Sequence, residues 1–372
     1  MQLRVWIFSV IFLNFFGGIT TVTAQINSPI YSFSLNGHIG YVLPEYKNMS
    51  YLVTDFAKGT EINFEKRTNG SKECHSSYNF PSFGLSAFYA TLGNHKVHGE
   101  EFGLFPYFKV PIFVRKKFSL VQQIGIGMSY ATEKFDLETN YLNVSIGSNI
   151  NVHFNFRLGA MYRINNRLAV NLGASFSHLS NANLAEPNLG LNSFTAYSGL
   201  RYNLKDESPY NKSILNPHSK RNTYYFAYNF GGKHTRSLNS KIWATSSISV
   251  EARRAISRII QLGIGFDTFY DSSTKTDFEN SADFKPINNF KTGLHLSQTI
   301  VYNKASLSLQ EGFYIGLVDK ANHYVMYNRL LFRYAVTNYL FCSIAMKSHV
   351  HILDSPEIGF GYSLPANKKH KK

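Results

Sequence analysis

The amino-acid sequence predicts an all-β protein: a transmembrane antiparallel β-barrel of the outer-membrane type, with roughly 14–16 strands in one barrel or, alternatively, two consecutive eight-stranded barrels. Three observations carry this. Long runs alternate apolar and polar residues with period two, the connections between runs alternate short and long, and beyond the N-terminal leader no stretch of about 20 apolar residues could cross a bilayer as a helix.

The chain opens Met1-Gln-Leu-Arg4, is apolar from Val5 to Phe16, and reaches Val22-Thr23-Ala24 before Gln25. A basic start, a short apolar core and a small residue at the end describe a secretory signal peptide over 1–24, so the rest is expected outside the cytoplasm. Hydrophobic residues make up 44% of the chain and aromatic ones 15%, with 24 Tyr and 31 Phe, against 16% charged. Aromatic residues suit strands and membrane interfaces. The net charge of +15, of which the leader holds only Arg4, favours anionic partners. After export that points to a phosphorylated lipid surface and away from nucleic acid. Cys74 lies in a polar segment and Cys342 in a strand-like run, which offers no disulfide framework. The sequons at Asn48, Asn69, Asn143 and Asn211 read as chance occurrences.

From Tyr31, the residues Tyr31, Phe33, Leu35, Ile39, Tyr41 and Leu43 alternate with Ser32, Ser34, Asn36, His38 and Gly40. The clearest run is 150–162, where Ile150, Val152, Phe154, Phe156 and Leu158 interleave with Asn151, His153, Asn155 and Arg157. Eight strands are read at 30–43, 59–67, 81–92, 102–113, 118–130, 149–163, 168–180 and 192–204, the barrel portion spanning 25–204. Links after the fourth and sixth strands are short, as periplasmic turns are. Thr68–Phe80 breaks the rhythm: it belongs on the short-turn side yet is long, so either the turn is unusual or the second strand is misplaced. Residues 205–221, with Pro209 and Pro217, read as a linker or long turn. Residues 222–372 supply about eight further strands and a basic tail, Asn367–Lys372. Gln123-Ile-Gly-Ile-Gly127 is echoed by Gln261-Leu-Gly-Ile-Gly265, a hint of duplication.

One stretch carries chemistry. On a strand, His178 and Ser180 point to the same side, the spacing of a base beside a nucleophile. Leu172, Ala174 and Phe176 precede them in phase on the apolar, lipid-facing side, and Asn192 continues in phase with Phe194, Ala196 and Leu200. The strand begins after a short turn, so the polar cluster is expected at the outer-leaflet rim. His349 and His351 fall in the opposite phase and should face the lumen; no third ligand accompanies them, and no metal is expected.

His178-x-Ser180-Asn181 followed by Pro187-Asn188-x-Gly190 resembles the signature of the outer-membrane lipid A 3-O-deacylases, also called acyloxyacyl hydrolases. The resemblance implies a β-barrel esterase that needs no cofactor and removes a hydroxyacyl chain from the lipid A of lipopolysaccharide in the outer leaflet. It implies Ser180 as nucleophile, His178 as general base, Asn188 in the oxyanion hole, and Asn181 and Gly190 as support. Where the family pattern has a glutamate to orient the histidine, this chain has Asn192. An amide oxygen can hold an imidazole N–H but brings no charge; Glu186 is the other candidate for that place. The opposing expectation is a non-catalytic barrel, porin-like or structural, that retains the motif.

Overall fold

The protein's computed structural model describes residues 29–44, 47–182, 185–206, 221–235, 241–278, 281–349 and 352–365. The leader at 1–24, most of the 205–221 linker, His351 and the tail Asn367–Lys372 lie outside the described residues. Sixteen strands among the described residues form two closed antiparallel barrels, the second of the two expected architectures.

The first barrel runs β1 (Ile30–Leu43), β2 (Ala57–Arg67), β3 (Ser82–Thr91), β4 (Glu100–Arg115), β5 (Phe118–Ala131), β6 (Ile150–Arg163), β7 (Leu168–Ser180) and β8 (Leu191–Asn203). Each pairs with the next, and β1 closes on β8 from Ser32↔Asn203 to Leu43↔Asn192. The second runs β9 (Asn222–His234), β10 (Ile242–Ala255), β11 (Ile260–Asp271), β12 (Phe290–Tyr302), β13 (Ala305–Tyr314), β14 (Met326–Ala335), β15 (Leu340–His349) and β16 (Ile352–Pro365), closed by β16 on β9. The β4–β5 turn is only Lys116-Lys117, with Lys116 at φ 52°.

The irregular turn Thr68–Phe80 is real, and β2 is where the alternation put it. The segment holds a short helix, α1 (Glu73–Ser77), whose His75 and Ser76 are buried together with Tyr78 and Phe80 beyond it. The Asn79 amide donates to the Pro111 carbonyl at 2.9 Å, fastening the turn to β4. Cys74 and Cys342 are both free thiols.

Each barrel turns its apolar residues outward, toward lipid. Phe33, Leu35, Ile39, Ile62 and Phe64 are exposed on the first, and Phe226, Ile248, Ile264, Leu296 and Phe360 on the second. Polar residues fill both interiors, as in small barrels with no channel. In the first, Glu61 pairs with Arg157 and accepts from Ser86 at 2.5 Å, with His38 Nε2 at 3.1 Å. Glu65 pairs with Lys109 and, at 2.9 Å, with Arg201, while the Tyr107 hydroxyl donates to it at 3.1 Å. In the second, Glu251 takes both Arg253 and Arg333, and Asp267 takes His295 and the Tyr327 hydroxyl, each at 2.6 Å. His349 faces the lumen, as its phase requires, against the Tyr314 hydroxyl at 2.9 Å.

The echoed Gln-x-Gly-Ile-Gly segments do not mark equivalent strands. One lies on the fifth strand of its barrel and the other on the third. One glycine of each pair faces a ring in the lumen: a Cβ on Gly125 would meet the Phe105 ring, and one on Gly265 would meet the His295 ring.

Every strand of the first barrel finds both partners within it. A chain ending after Asp206 is therefore expected to fold alone, and heat-modifiable migration of the truncated chain on gels in mild detergent is the check. A truncated chain that runs at its unfolded mobility, heated or not, would refute this.

Candidate active site

The motif lies where β7 ends and the β7–β8 loop begins, at the long-loop end of the first barrel. Along β7, Ser175, Ser177 and Leu179 are buried in the interior, whereas Phe176, His178 and Ser180 take the outer side. Leu179 joins Val42, Ala57, Leu92, Ala131, Ile146 and Leu191 in an apolar plug at this end of the lumen. Burying a leucine in such a cluster is worth about 1.5–3 kcal/mol. That inward anchor forces its two neighbours outward, because a slip of one residue would exchange the faces.

His178 and Asn192 are direct partners across β7 and β8, and the imidazole Nδ1 lies 2.8 Å from the Asn192 Oδ1. An amide oxygen only accepts, so Nδ1 carries the hydrogen. Nε2 is then left with the lone pair, the form a general base requires. Asn192, one of the two candidates that the sequence offers for orienting the histidine, thus meets the ring directly.

The Ser180 hydroxyl oxygen receives two donors: the Asn188 Nδ2 at 3.0 Å and the Ala182 backbone N–H at 3.3 Å. Asn188 is aimed by its other end, since its Oδ1 accepts the Asn181 backbone N–H at 3.1 Å and so turns the NH₂ toward Ser180. Asn181 itself bridges the loop, donating to the Ala185 carbonyl at 2.8 Å and accepting from the Ala185 N–H at 3.4 Å. Two donors converging on a hydroxyl oxygen are suited to holding negative charge that develops next to it.

Gly190 closes the site from the far side of the loop. Its φ is +77°, and a Cβ there would stand 2.7 Å from His178 Cε1. The loop is braced from β5–β6: Gly190 N–H donates to the Ser145 carbonyl at 3.0 Å and Leu189 N–H to that of Val144 at 3.3 Å. Asn143, one of the sequon residues, is fully buried below, its Oδ1 accepting from the Ile146 N–H at 3.3 Å.

A family model described as lipid A 3-O-deacylase (PagL) matches residues 58–201, which contain all of these groups, and one described as acyloxyacyl hydrolase, C-terminal domain, matches residues 222–368. The chain belongs to the lipid A 3-O-deacylase (acyloxyacyl hydrolase) family. The two family models meet at the gap between the two barrels, so the deacylase match falls on the first and the C-terminal-domain match on the second. Among solved structures, Neisserial surface protein A is similar with 8% identity and a TM-score of 0.33, over 47% of this chain and 99% of that one. The outer membrane enzyme PagL is similar with 14% identity and a TM-score of 0.30, over 45% of this chain and 97% of that one. A comparison with curated proteins finds no match. As a deacylase-family barrel, the protein resides in the bacterial outer membrane.

The structure thus brings together His178 with Asn192, and Ser180 with Asn188 and Asn181; His178, Ser180 and Asn192 take the lipid side of the wall, and Asn181 is buried in the loop. Sequence reasoning missed the Ala182 N–H, which is aimed by the loop backbone, and the bracing carbonyls of Ser145 and Val144. Leu179 was within reach, since strand phase alone turns it inward. Replacing Gly190 by Ala should leave a heat-modifiable barrel but displace the imidazole. Labelling of Ser180 by a fluorophosphonate probe is expected to slow about 100-fold, the cost of roughly 1 Å of misplacement. Labelling at the wild-type rate would refute this role for Gly190.

Proposed function

We propose that the protein is a serine esterase that hydrolyses an ester-linked acyl or hydroxyacyl chain of lipid A in lipopolysaccharide, with the site on the outer wall of the first barrel. The observation that carries this reading is the outward placement of two pairs at the rim: His178 with Asn192 at 2.8 Å and Ser180 with Asn188 at 3.0 Å. The ester bonds of lipid A lie just beneath the headgroup, level with a site where the strand passes into its long loop. A cluster facing the lumen could not reach them.

In the proposed chemistry, His178 Nε2 takes the Ser180 proton as Oγ attacks the acyl carbonyl carbon. The oxyanion that forms is held by Asn188 Nδ2 and the Ala182 N–H, and Asn181 keeps Asn188 aimed. The imidazolium gives its proton to the departing sugar oxygen. Water then attacks the acyl-serine by the same route, releasing a fatty acid and restoring Ser180. Asn192 keeps the imidazole in the right tautomer and orientation without adding a negative charge. No step calls for a metal or an organic cofactor. The signal peptide at residues 1–24 belongs to the same proposal, as the route by which the 25–204 barrel reaches the outer membrane.

The filled interiors of both barrels speak against the porin-like alternative, since Arg157, Glu61, Arg329 and Asp267 occupy the space a channel would need.

Mass spectrometry of lipid A from vesicles incubated with the protein tests the reading. Wild type should remove the mass of one acyl chain and Ser180→Ala none; lipid A left intact by wild type would sink it. The Asn188→Ala variant is expected to lose about 10²–10³ in rate, as when one oxyanion donor is removed. The isosteric Asn192→Asp should raise the rate, because a carboxylate stabilises the imidazolium that the amide only orients; a slower Asp variant would contradict the assignment of Asn192.

A further inference from the structure

Among the described residues, the densest exposed positive charge on the first barrel lies at the end away from Ser180. The β4–β5 turn and the residue before it place Arg115, Lys116 and Lys117 in succession, all exposed, and the β6–β7 turn beside it adds the half-buried Arg163 and the exposed Arg167. The turns are neighbours because β5 and β6 pair from Phe118↔Tyr162 onward. Hydrogen bonds lace them together: Arg163 N–H to the Lys117 carbonyl at 2.9 Å, Lys117 Nζ to the Ile164 carbonyl at 3.3 Å, and the Arg163 guanidinium to the Lys116 carbonyl. Asp206 offsets Arg167 at 2.5 Å. At the long-loop end the exposed cations Lys58, Lys96 and Lys134 are instead interspersed with Asp55, Asp136 and Glu138. The charge asymmetry is therefore between the two ends of one barrel.

The surroundings indicate what meets the cations. A bulge in β4 between Pro111 and Phe113 leaves Phe113 and Val114 both exposed, and Phe118, Tyr162 and Ile164 are exposed on the flanking strands. Apolar and aromatic side chains at this level mark the edge of the hydrocarbon, so the cations just beyond stand among lipid headgroups. β7 separates this end from Ser180 by 13 residues, about 40 Å of strand, enough to cross the membrane. The cations thus belong to the opposite leaflet from the proposed esterase site.

We infer that the paired β4–β5 and β6–β7 turns bind the phosphate groups of anionic glycerophospholipids in the periplasmic leaflet. A crowded set of guanidinium and ammonium groups is stabilised by diffuse anionic charge, and arginine forks suit phosphate. The inference concerns anchoring and lipid selection, and stands whether or not Ser180 is a nucleophile.

The full-length protein in phosphatidylcholine vesicles, with trace spin-labelled phosphatidylglycerol or phosphatidylcholine, provides the test, read as the motionally restricted fraction of each label. Wild type should prefer phosphatidylglycerol about fivefold at low salt, falling toward parity as salt screens the contact. Replacing Arg115, Lys116 and Lys117 together by Gln should remove most of the preference. The long-loop variant, with Lys58, Lys96 and Lys134 replaced by Gln, should keep it. Heat-modifiable migration verifies that both variants are folded. Equal restriction of the two lipids by wild type, an unchanged preference in the turn variant, or loss of preference in the long-loop variant alone would each overturn the inference.

Discussion

A closed antiparallel ladder commits every backbone N–H and C=O between its strands, so the remaining freedom is which side of the wall each residue takes. Here that choice is enforced from inside by charge. Sliding β2 by one residue against its neighbours would put Glu61 and Glu65 into hydrocarbon and draw Ile62 and Phe64 into the lumen. A carboxylate on the lipid face at mid-membrane costs less than the roughly 2–4 kcal/mol of an Arg or Lys there, but an ion left in the interior without its partner costs about 3–5 kcal/mol. Arg157, Arg201 and Lys109 hold those carboxylates from three other strands, so the network fixes the register of the wall as a whole.

The polar cluster at the rim inherits its direction from that register. β7 makes its last inward contact through Leu179, and the residues on either side must face lipid. Beyond Ser180 the chain leaves the ladder, and positioning passes to amides: Asn181 closes the loop on Ala185, Asn188 is aimed by the Asn181 N–H, and Asn192 returns to the ladder directly opposite His178. Rigid strand and braced loop each supply one half of the pair of pairs.

Alternation made the strands legible, because a residue that meets lipid and one that meets ions differ as much as side chains can; the boundaries of β1 and β7 follow from it directly. The same phase turned His178, Ser180 and Asn192 outward and His349 inward. The number of barrels was less accessible. Closure depends on whether β8 returns to β1 or continues to β9, and Leu191–Asn203 reads alike in either case. The turn at 68–80 contains a helix of only five residues, too short to leave a periodic signal. Nor does sequence encode the convergence of Ala182 and Asn188 on one oxygen, since it arises from loop backbone and not from residue type.

The solid interior of the first barrel has a kinetic corollary. With Glu61, Arg157 and their neighbours filling the centre, no lipid reaches the rim cluster through the barrel; a lipid comes to it sideways, within one monolayer. Encounter then happens in two dimensions, where the governing variable is mole fraction among neighbouring lipids rather than bulk concentration. Diluting a ligand with inert lipid should slow its capture even when the total amount in the sample is unchanged, and crowding of the leaflet by other barrels should do the same.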